Sequence, residues 1–284
     1  MKVAFLGLGV MGFPMAGHLA ARGCEVTVYN RSLVKADRWV DRHQGRQSAS
    51  PAEAASGAEI VFLCLGDDPD VAETAEKIAG VMRRGAVLVD HTTASPALAR
   101  RLAAELKELG LGFVDAPVSG GQAGAENGKL SIMCGGDERD VEKARPVMAA
   151  YAARIVHIGP AGSGQLAKAV NQICIAGLLQ GLAEGIHFAK AAGLDIDRLL
   201  EAISGGAAQS WQMDNRAKTM TADKFDFGFA VDWMRKDLRI ALAEARANGA
   251  RLPATALIDQ FYADVQAMGG GRWDTSSLIR RLNI

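Results

Sequence analysis

Three glycines, Gly7, Gly9 and Gly12, stand at the spacing GxGxxG between the apolar run Lys2–Leu6 and the helical pattern of Met11–Arg22. Glycine serves a different need at each place. The first permits a tight strand-to-helix turn, the second lets the backbone approach a pyrophosphate, and the third lets helix and strand pack closely. Phosphates then lie at the helix N-terminus, against free N–H groups and the positive end of the dipole. Such turns are common alone, but here a second β-rich run, Glu25–Tyr29, follows the helix, and that context points to a dinucleotide held by Gly7, Gly9, Val10, Met11 and Gly12. An acidic residue roughly 20 positions past the glycines usually binds a free ribose 2′-hydroxyl. This chain has Asn30-Arg31-Ser32 there, with no carboxylate and with a guanidinium suited to phosphate. The expected cofactor is therefore NADP, with NAD as the alternative.

Three further clusters carry chemistry. Asp115 to Ala125 (DAPVSGGQAGA) follows a β-rich run, and its Ser119-Gly120-Gly121 offers a hydroxyl and unobstructed N–H groups to a small carboxylate. Gly162 to Gln172 (GSGQLAKAVNQ) opens a long helix with a flexible glycine pair and sets Lys168, Asn171 and Gln172 on neighbouring positions of one face. Lys168 is the candidate acid/base, since an ammonium near a helix N-terminus and partly desolvated moves from about 10.4 toward neutrality. The third is Arg235-Lys236-Asp237-Leu238, uninformative alone. The five histidines, His18, His43, His91, His157 and His187, show no ligand spacing; no metal is expected and His91 is assigned no role.

The elements that must position these groups form two patterns. Short β-rich runs at Ile60–Leu65, Ala86–Asp90, Gly112–Asp115, Leu130–Cys134 and Ile155–Ile158 alternate with helical segments such as Val71–Met82 and Pro96–Leu109. That alternation predicts a mostly parallel sheet with helices on both faces. From Gln165 onward only helical periodicity appears, through Thr275–Leu282, so domains are expected at 1–160 and 161–284. The helix after the boundary fails as a membrane span because Asn171, Gln172 and Gln180 interrupt it; its Gly177, Gly181 and Gly185 predict close packing with another backbone. With 284 residues, 49% hydrophobic content and 32 basic against 32 acidic residues, nothing points to nucleic acid or an anionic membrane. Cys24, Cys64, Cys134 and Cys174 stand singly in apolar surroundings and are read as buried thiols of a reducing compartment. Met1–Leu6 is taken up by a strand, so no signal sequence is expected and the cytoplasm is the default.

On Gly7 to Gly12 with Met15 and Ala16, on Asp115 to Gly124, on Gly162 to Gln172 and on Lys236-Asp237-Leu238, the chain resembles the β-hydroxyacid dehydrogenase family from end to end. That family includes 3-hydroxyisobutyrate dehydrogenases and semialdehyde reductases. The resemblance implies an α/β Rossmann domain joined through a long interdomain helix to an all-α domain, and a homodimer or homotetramer. It implies that Ser119, Gly120 and Gly121 hold the substrate carboxylate, that Lys168 gives or takes the proton, and that Asn171 with Gln172 orients the substrate. It also implies that Leu65, Thr93 and Lys236 reach the cofactor. Gln172 stands where many members have asparagine, and Lys129 where threonine is common, which bears on the substrate rather than the reaction. The expected activity is NADP-dependent, reversible hydride transfer between nicotinamide and a small 3-hydroxy acid or its aldehyde acid. NAD-dependent 3-hydroxyisobutyrate oxidation is the alternative; a non-catalytic homologue or an imine reductase is disfavoured by the presence of Lys168. Ser210, Trp211, Met213, Phe229 and Asp274 are candidate pocket residues.

Overall fold

The computed structural model describes residues 1–282. The chain folds as two compact units, Met1–Lys168 and Ala169–Ile284.

In the first unit, β1 (Lys2–Leu6), β2 (Glu25–Tyr29), β3 (Arg46–Gln47), β4 (Ile60–Leu63), β5 (Val87–Asp90) and β6 (Gly112–Asp115) pair in the order β3-β2-β1-β4-β5-β6, all parallel. β8 (Leu130–Gly136) runs antiparallel to β6 and to the short β7 (Val118–Ser119), and β9 (Ala152–Gly159) lies parallel to β8. β4 and β5 are buried at every residue, as strands covered on both faces must be. One apolar layer gathers Phe5, Met15, Leu19, Trp39, Phe62 and Tyr151; the opposite layer gathers Leu6, Leu63, Ile78, Leu88, Leu98 and Phe113. Helices start where a cap residue and proline stop the preceding strand pattern: Asp67 and Ser95 cap α4 (Asp68–Ala79) and α5 (Pro96–Glu108), with proline in each first turn. The strand order reverses direction between β1 and β4, and ligands of open parallel sheets bind outside the carboxyl ends of the strands at that point.

The second unit is all-helical. Ala176, Leu179, Ala183 and Ile186 of α8 (Ser163–Ala191) line one helical face and pack in a core with Met220, Val231, Met234, Leu238 and Tyr262. By length and composition α8 could cross a membrane; its buried face is instead the spine of this core. The remaining helices are α9 (Ile196–Ile203), α10 (Trp211–Thr221), α11 (Val231–Asn248) and α12 (Pro253–Ala267), followed by a 3₁₀ helix at Thr275–Leu282. Arg280 fixes that last turn by a double hydrogen bond to Asp223, both at 2.7 Å, while its guanidinium lies 4.1 Å from the ring centre of Trp273.

Several sequence expectations need correction. β3 and β7 are two-residue strands without an apolar run, so pattern alone misses them. Cys174 is exposed, and Cys24 and Cys64 are only partly buried, because they sit at the edges of the cores rather than within them. Among the described residues, no atom outside the local helix backbone comes within 4 Å of a Cβ built at Gly177, Gly181 or Gly185, so the close backbone expected there is not supplied by this part of the chain.

Gly7 has φ +103°, and a Cβ there would collide with the Cys64 carbonyl. Gly7→Ala should therefore destabilise the first unit by about 2 kcal/mol or more. Thermal unfolding checks this; an unchanged melting temperature would contradict the requirement for glycine.

Candidate active site

The glycine turn fits a dinucleotide at each position. A Cβ on Gly12 would strike the Gly7 carbonyl, whereas one on Gly9 would meet nothing within 4 Å, leaving open space for a pyrophosphate against the backbone. α1 (Gly12–Ala21) has no acidic residue in its first turn and no side chain capping it, so no side chain offsets the positive end of its dipole there. Asn30 braces this turn. Its Oδ1 accepts from the Leu8 N–H at 2.9 Å and its Nδ2 donates to the Ser32 carbonyl, tying the glycine turn to the exit of β2. Arg31, with its side chain 88% exposed, is held only loosely by Asp70 at 3.4 Å. Ser32 is the N-cap of α2 (Leu33–Val40) without a capping hydrogen bond, and exposed Lys35 adds a second cation on the first turn of that helix. Sequence reasoning passes over Lys35 because one surface lysine carries no signal of its own. Leu65, partly buried, follows β4; its N–H donates to Thr92 Oγ1 at 2.9 Å, and the partly exposed Thr93 comes next in the same β5 exit.

The β6 exit brings together Asp115, the start of α8 and Lys168. Asp115, fully buried, accepts from the N–H groups of Gly162 at 2.8 Å and Gln165 at 2.9 Å, satisfying donors at the start of α8 that have no helical partner. Gln165 in turn donates to the Thr92 carbonyl at 2.7 Å and accepts from the Ala94 N–H at 3.1 Å, so the start of α8 is also fastened to the β5 exit. The glycines here answer to close approach rather than flexibility: a Cβ on Gly164 would meet the Met133 and Asp115 carbonyls, and one on Gly135 the Asp115 carboxylate. Lys168, 7% exposed, stands one turn further along α8 and donates from Nζ to the Val118 carbonyl at 2.9 Å, beside Ser119. Gly120 and Gly121 follow with φ +128° and +61°, a conformation that favours glycine.

The second unit links the other predicted residues through two hydrogen bonds and an ion pair around the buried Asp237. Gln172 Nε2 donates to Asp237 Oδ2 at 2.6 Å, Asn171 Nδ2 donates to Gln172 Oε1 at 2.8 Å, and Lys236 Nζ lies 3.2 Å from Asp237 Oδ1. The carboxylate thus fixes which end of each amide faces which neighbour. Among the candidate pocket residues, three hold the fold together instead. Ser210 caps α10, Met213 is in the core, and buried Asp274 accepts from Arg216 at 3.1 Å, the Phe229 N–H at 3.0 Å and the Ser276 hydroxyl at 2.6 Å. Trp211 is exposed and lies under the Arg216 guanidinium, with ring centre and Cζ 4.9 Å apart.

A parallel sheet in this strand order, with a glycine turn at its switch point and a buried lysine at the β6 exit, defines a nicotinamide-dinucleotide-dependent oxidoreductase. Comparison with known proteins agrees. Residues 2–159 match the family described as the NAD binding domain of 6-phosphogluconate dehydrogenase, and residues 162–282 match that described as NAD-binding of NADP-dependent 3-hydroxyisobutyrate dehydrogenase. An uncharacterized oxidoreductase of Shewanella frigidimarina (strain NCIMB 400) is 59% identical, covering 99% of this chain and 98% of that protein. The 2-hydroxy-3-oxopropionate reductase of Escherichia coli (strain K12) is 35% identical, covering 100% and 98%. The solved structure of Mycobacterium tuberculosis 3-hydroxyisobutyrate dehydrogenase with L-serine has a TM-score of 0.92 at 31% identity, covering 100% of this chain and 99% of that one. The chain belongs to the β-hydroxyacid dehydrogenase family, whose members are oxidoreductases acting on CH–OH groups.

Two buried groups of the first unit titrate in opposite senses. Burial pushes His91 down from 6.5 to about 4, with its hydrogen bond to the Ala116 carbonyl pulling partly back. The unfolded chain therefore binds the extra proton between those values, and stability from His91, complete above pH 6.5, is lost as pH falls to 4. Burial pushes Asp115 up from 3.8 to about 6 against the pull of its N–H donors, so its contribution is complete below pH 3.8 and is lost as pH rises through 6. His91→Asn removes only the first slope. The stability gap between the native chain and this variant should narrow by about 3 kcal/mol from about pH 7 to about pH 4 in urea unfolding; a gap independent of pH would contradict the buried neutral imidazole.

Proposed function

We propose that this chain is an NADP-dependent β-hydroxyacid dehydrogenase that works as a semialdehyde reductase, interconverting a small 3-hydroxy acid and its aldehyde acid. The observation that carries the reading is the buried Lys168, its Nζ 2.9 Å from the Val118 carbonyl and next to the Ser119-Gly120-Gly121 turn. The glycine turn with Asn30, Arg31 and Ser32 would hold the cofactor, which when bound would supply the hydride as NADPH in reduction and take it up as NADP+ in oxidation. Ser119 and the peptide N–H groups of Gly120 and Gly121 hold the substrate carboxylate. Lys168 donates a proton to the carbonyl oxygen in reduction and takes it from the hydroxyl in oxidation, and its positive charge stabilises the alkoxide in either direction. Asn171 and Gln172 orient the substrate and Lys236 contributes its charge, as the resemblance implies.

The preference for NADP rests on Arg31, exposed and loosely held, on Ser32 with its hydroxyl outside any cap bond, and on the absence of a carboxylate at the β2 exit. Asp70, near Arg31, favours the second reading, NAD use, because it places a carboxylate close to that exit. The apolar stripe of Val170, Cys174, Gly177, Gly181 and Phe188 on α8 is exposed and supports self-association, and the scattered free thiols support a reducing compartment such as the cytoplasm.

Initial rates of NADPH and NADH oxidation with glyoxylate, succinic semialdehyde, methylmalonate semialdehyde and tartronate semialdehyde test the activity. Lys168→Ala should lower turnover about a thousandfold while NADPH still binds; undiminished turnover would remove the lysine from the mechanism. Arg31→Ala should weaken NADPH about tenfold more than NADH, and equal losses would favour the NAD reading.

A further inference from the structure

His91 is a buried titratable group that the mechanism above leaves unused. Its Nδ1 lies 2.6 Å from the Ala116 carbonyl and its Nε2 lies 2.8 Å from Tyr151 Oη. A carbonyl only accepts, so Nδ1 carries the hydrogen; Nε2 of the neutral ring is then an acceptor, and the Tyr151 hydroxyl donates to it. Both side chains are buried, His91 at 3% exposure and Tyr151 at none. Flat stacking on Phe62, centres 5.6 Å apart and planes within 3°, fixes the ring from its face, and Tyr151 meets it edge-on at 86°. A polar row with every member satisfied is stiff, and loss of one member strands another in a dry interior.

What this row grips is the backbone that receives Lys168. After Ala116 comes Pro117, with a fixed φ and no N–H of its own, whose carbonyl accepts from the Met133 N–H at 3.1 Å. Val118 follows, and its carbonyl takes the Lys168 ammonium. The helix under the lysine is fixed separately, by Asp115 one residue before the gripped carbonyl. We propose that His91, braced by Tyr151, is a positioning residue for Lys168: by holding the Ala116 carbonyl it sets the path of Ala116-Pro117-Val118 and so the place of the proton-transferring ammonium. This rests on Lys168 being the acid/base.

The test is steady-state kinetics with whichever semialdehyde the native chain reduces, beside NADPH affinity from nucleotide fluorescence. His91→Leu removes the donor and should lower kcat about tenfold or more, with the NADPH Kd within about twofold of native. His91→Asn returns an amide N–H near the Nδ1 position and should bring kcat back to within about threefold of native. Tyr151→Phe leaves the Nε2 lone pair without its donor in a dry interior and loosens the brace on the ring, and should cost about two- to fivefold in kcat. Native-like kcat in His91→Leu, or His91→Asn no better than His91→Leu, overturns the proposal. If His91→Leu does not fold, Tyr151→Phe decides, and a native rate there overturns it. Lys168→Ala run alongside separates the two ideas: full turnover in that variant defeats the lysine reading, whereas its loss with unaffected His91 variants defeats only the brace.

Discussion

A single buried carboxylate joins β6 to the start of α8. Asp115 ends β6 where the sheet stops, and it takes the N–H groups of Gly162 and Gln165, which begin α8. A helix start is a cluster of unpaired donors at the positive end of a dipole, and burying it without an acceptor costs several kcal/mol. A fully buried carboxylate has the mirror-image problem. Each resolves the other, and the start of α8 is tied to the sheet one turn before Lys168. The union demands close approach, which is why Gly135 and Gly164 leave no room for a side chain.

Around that union the exits of consecutive strands divide the work. The β1 and β4 exits supply the glycine turn and Leu65, and the β2 exit supplies Asn30, Arg31 and Ser32. The β5 exit supplies Thr92 and Thr93 together with His91, and β6 leads into Ser119, Gly120 and Gly121. Gln165 fastens the start of α8 to the β5 exit through its hydrogen bonds to Thr92 and Ala94, beside its bond to Asp115 at the β6 exit. In the all-helical unit a second buried carboxylate, Asp237, orders Gln172, Asn171 and Lys236 in the same manner. Gln172, one methylene longer than asparagine, is the side chain that reaches it.

The parallel sheet, the helical second half and the glycine turn are legible in the sequence because each is encoded within a few consecutive residues. Periodicity locates the strands that are buried on both faces, whereas β3 and β7 escape for want of an apolar run. What stays hidden is pairing at long range: Asp115 with Gly162 and Gln165, His91 with Tyr151, and Gln172 with Asp237 are separated by 47 to 65 residues. Local pattern carries no record of such pairs. For the same reason the glycine pair before Lys168 reads as flexible when it marks close approach, and the sequence around His91 gives no sign of its buried hydrogen bonds to Ala116 and Tyr151. Asp274 looks like a pocket residue by its type and proves to be a structural hub, its partners being as far as 58 residues away.

The central claim is that Asp115 holds the base of α8 and, through it, Lys168, the lysine proposed to transfer the proton. Amide hydrogen exchange of Asp115→Asn against the native chain, measured with kcat on the same preparations, tests it most directly. The carboxamide keeps the volume but offers one acceptor where two are needed, so exchange at Gly162, Gly164 and Gln165 should quicken about tenfold or more. Exchange within β1 and β4 should stay native, and kcat should fall while NADPH still binds. Native exchange at those three amides, or full turnover despite their opening, would contradict the account.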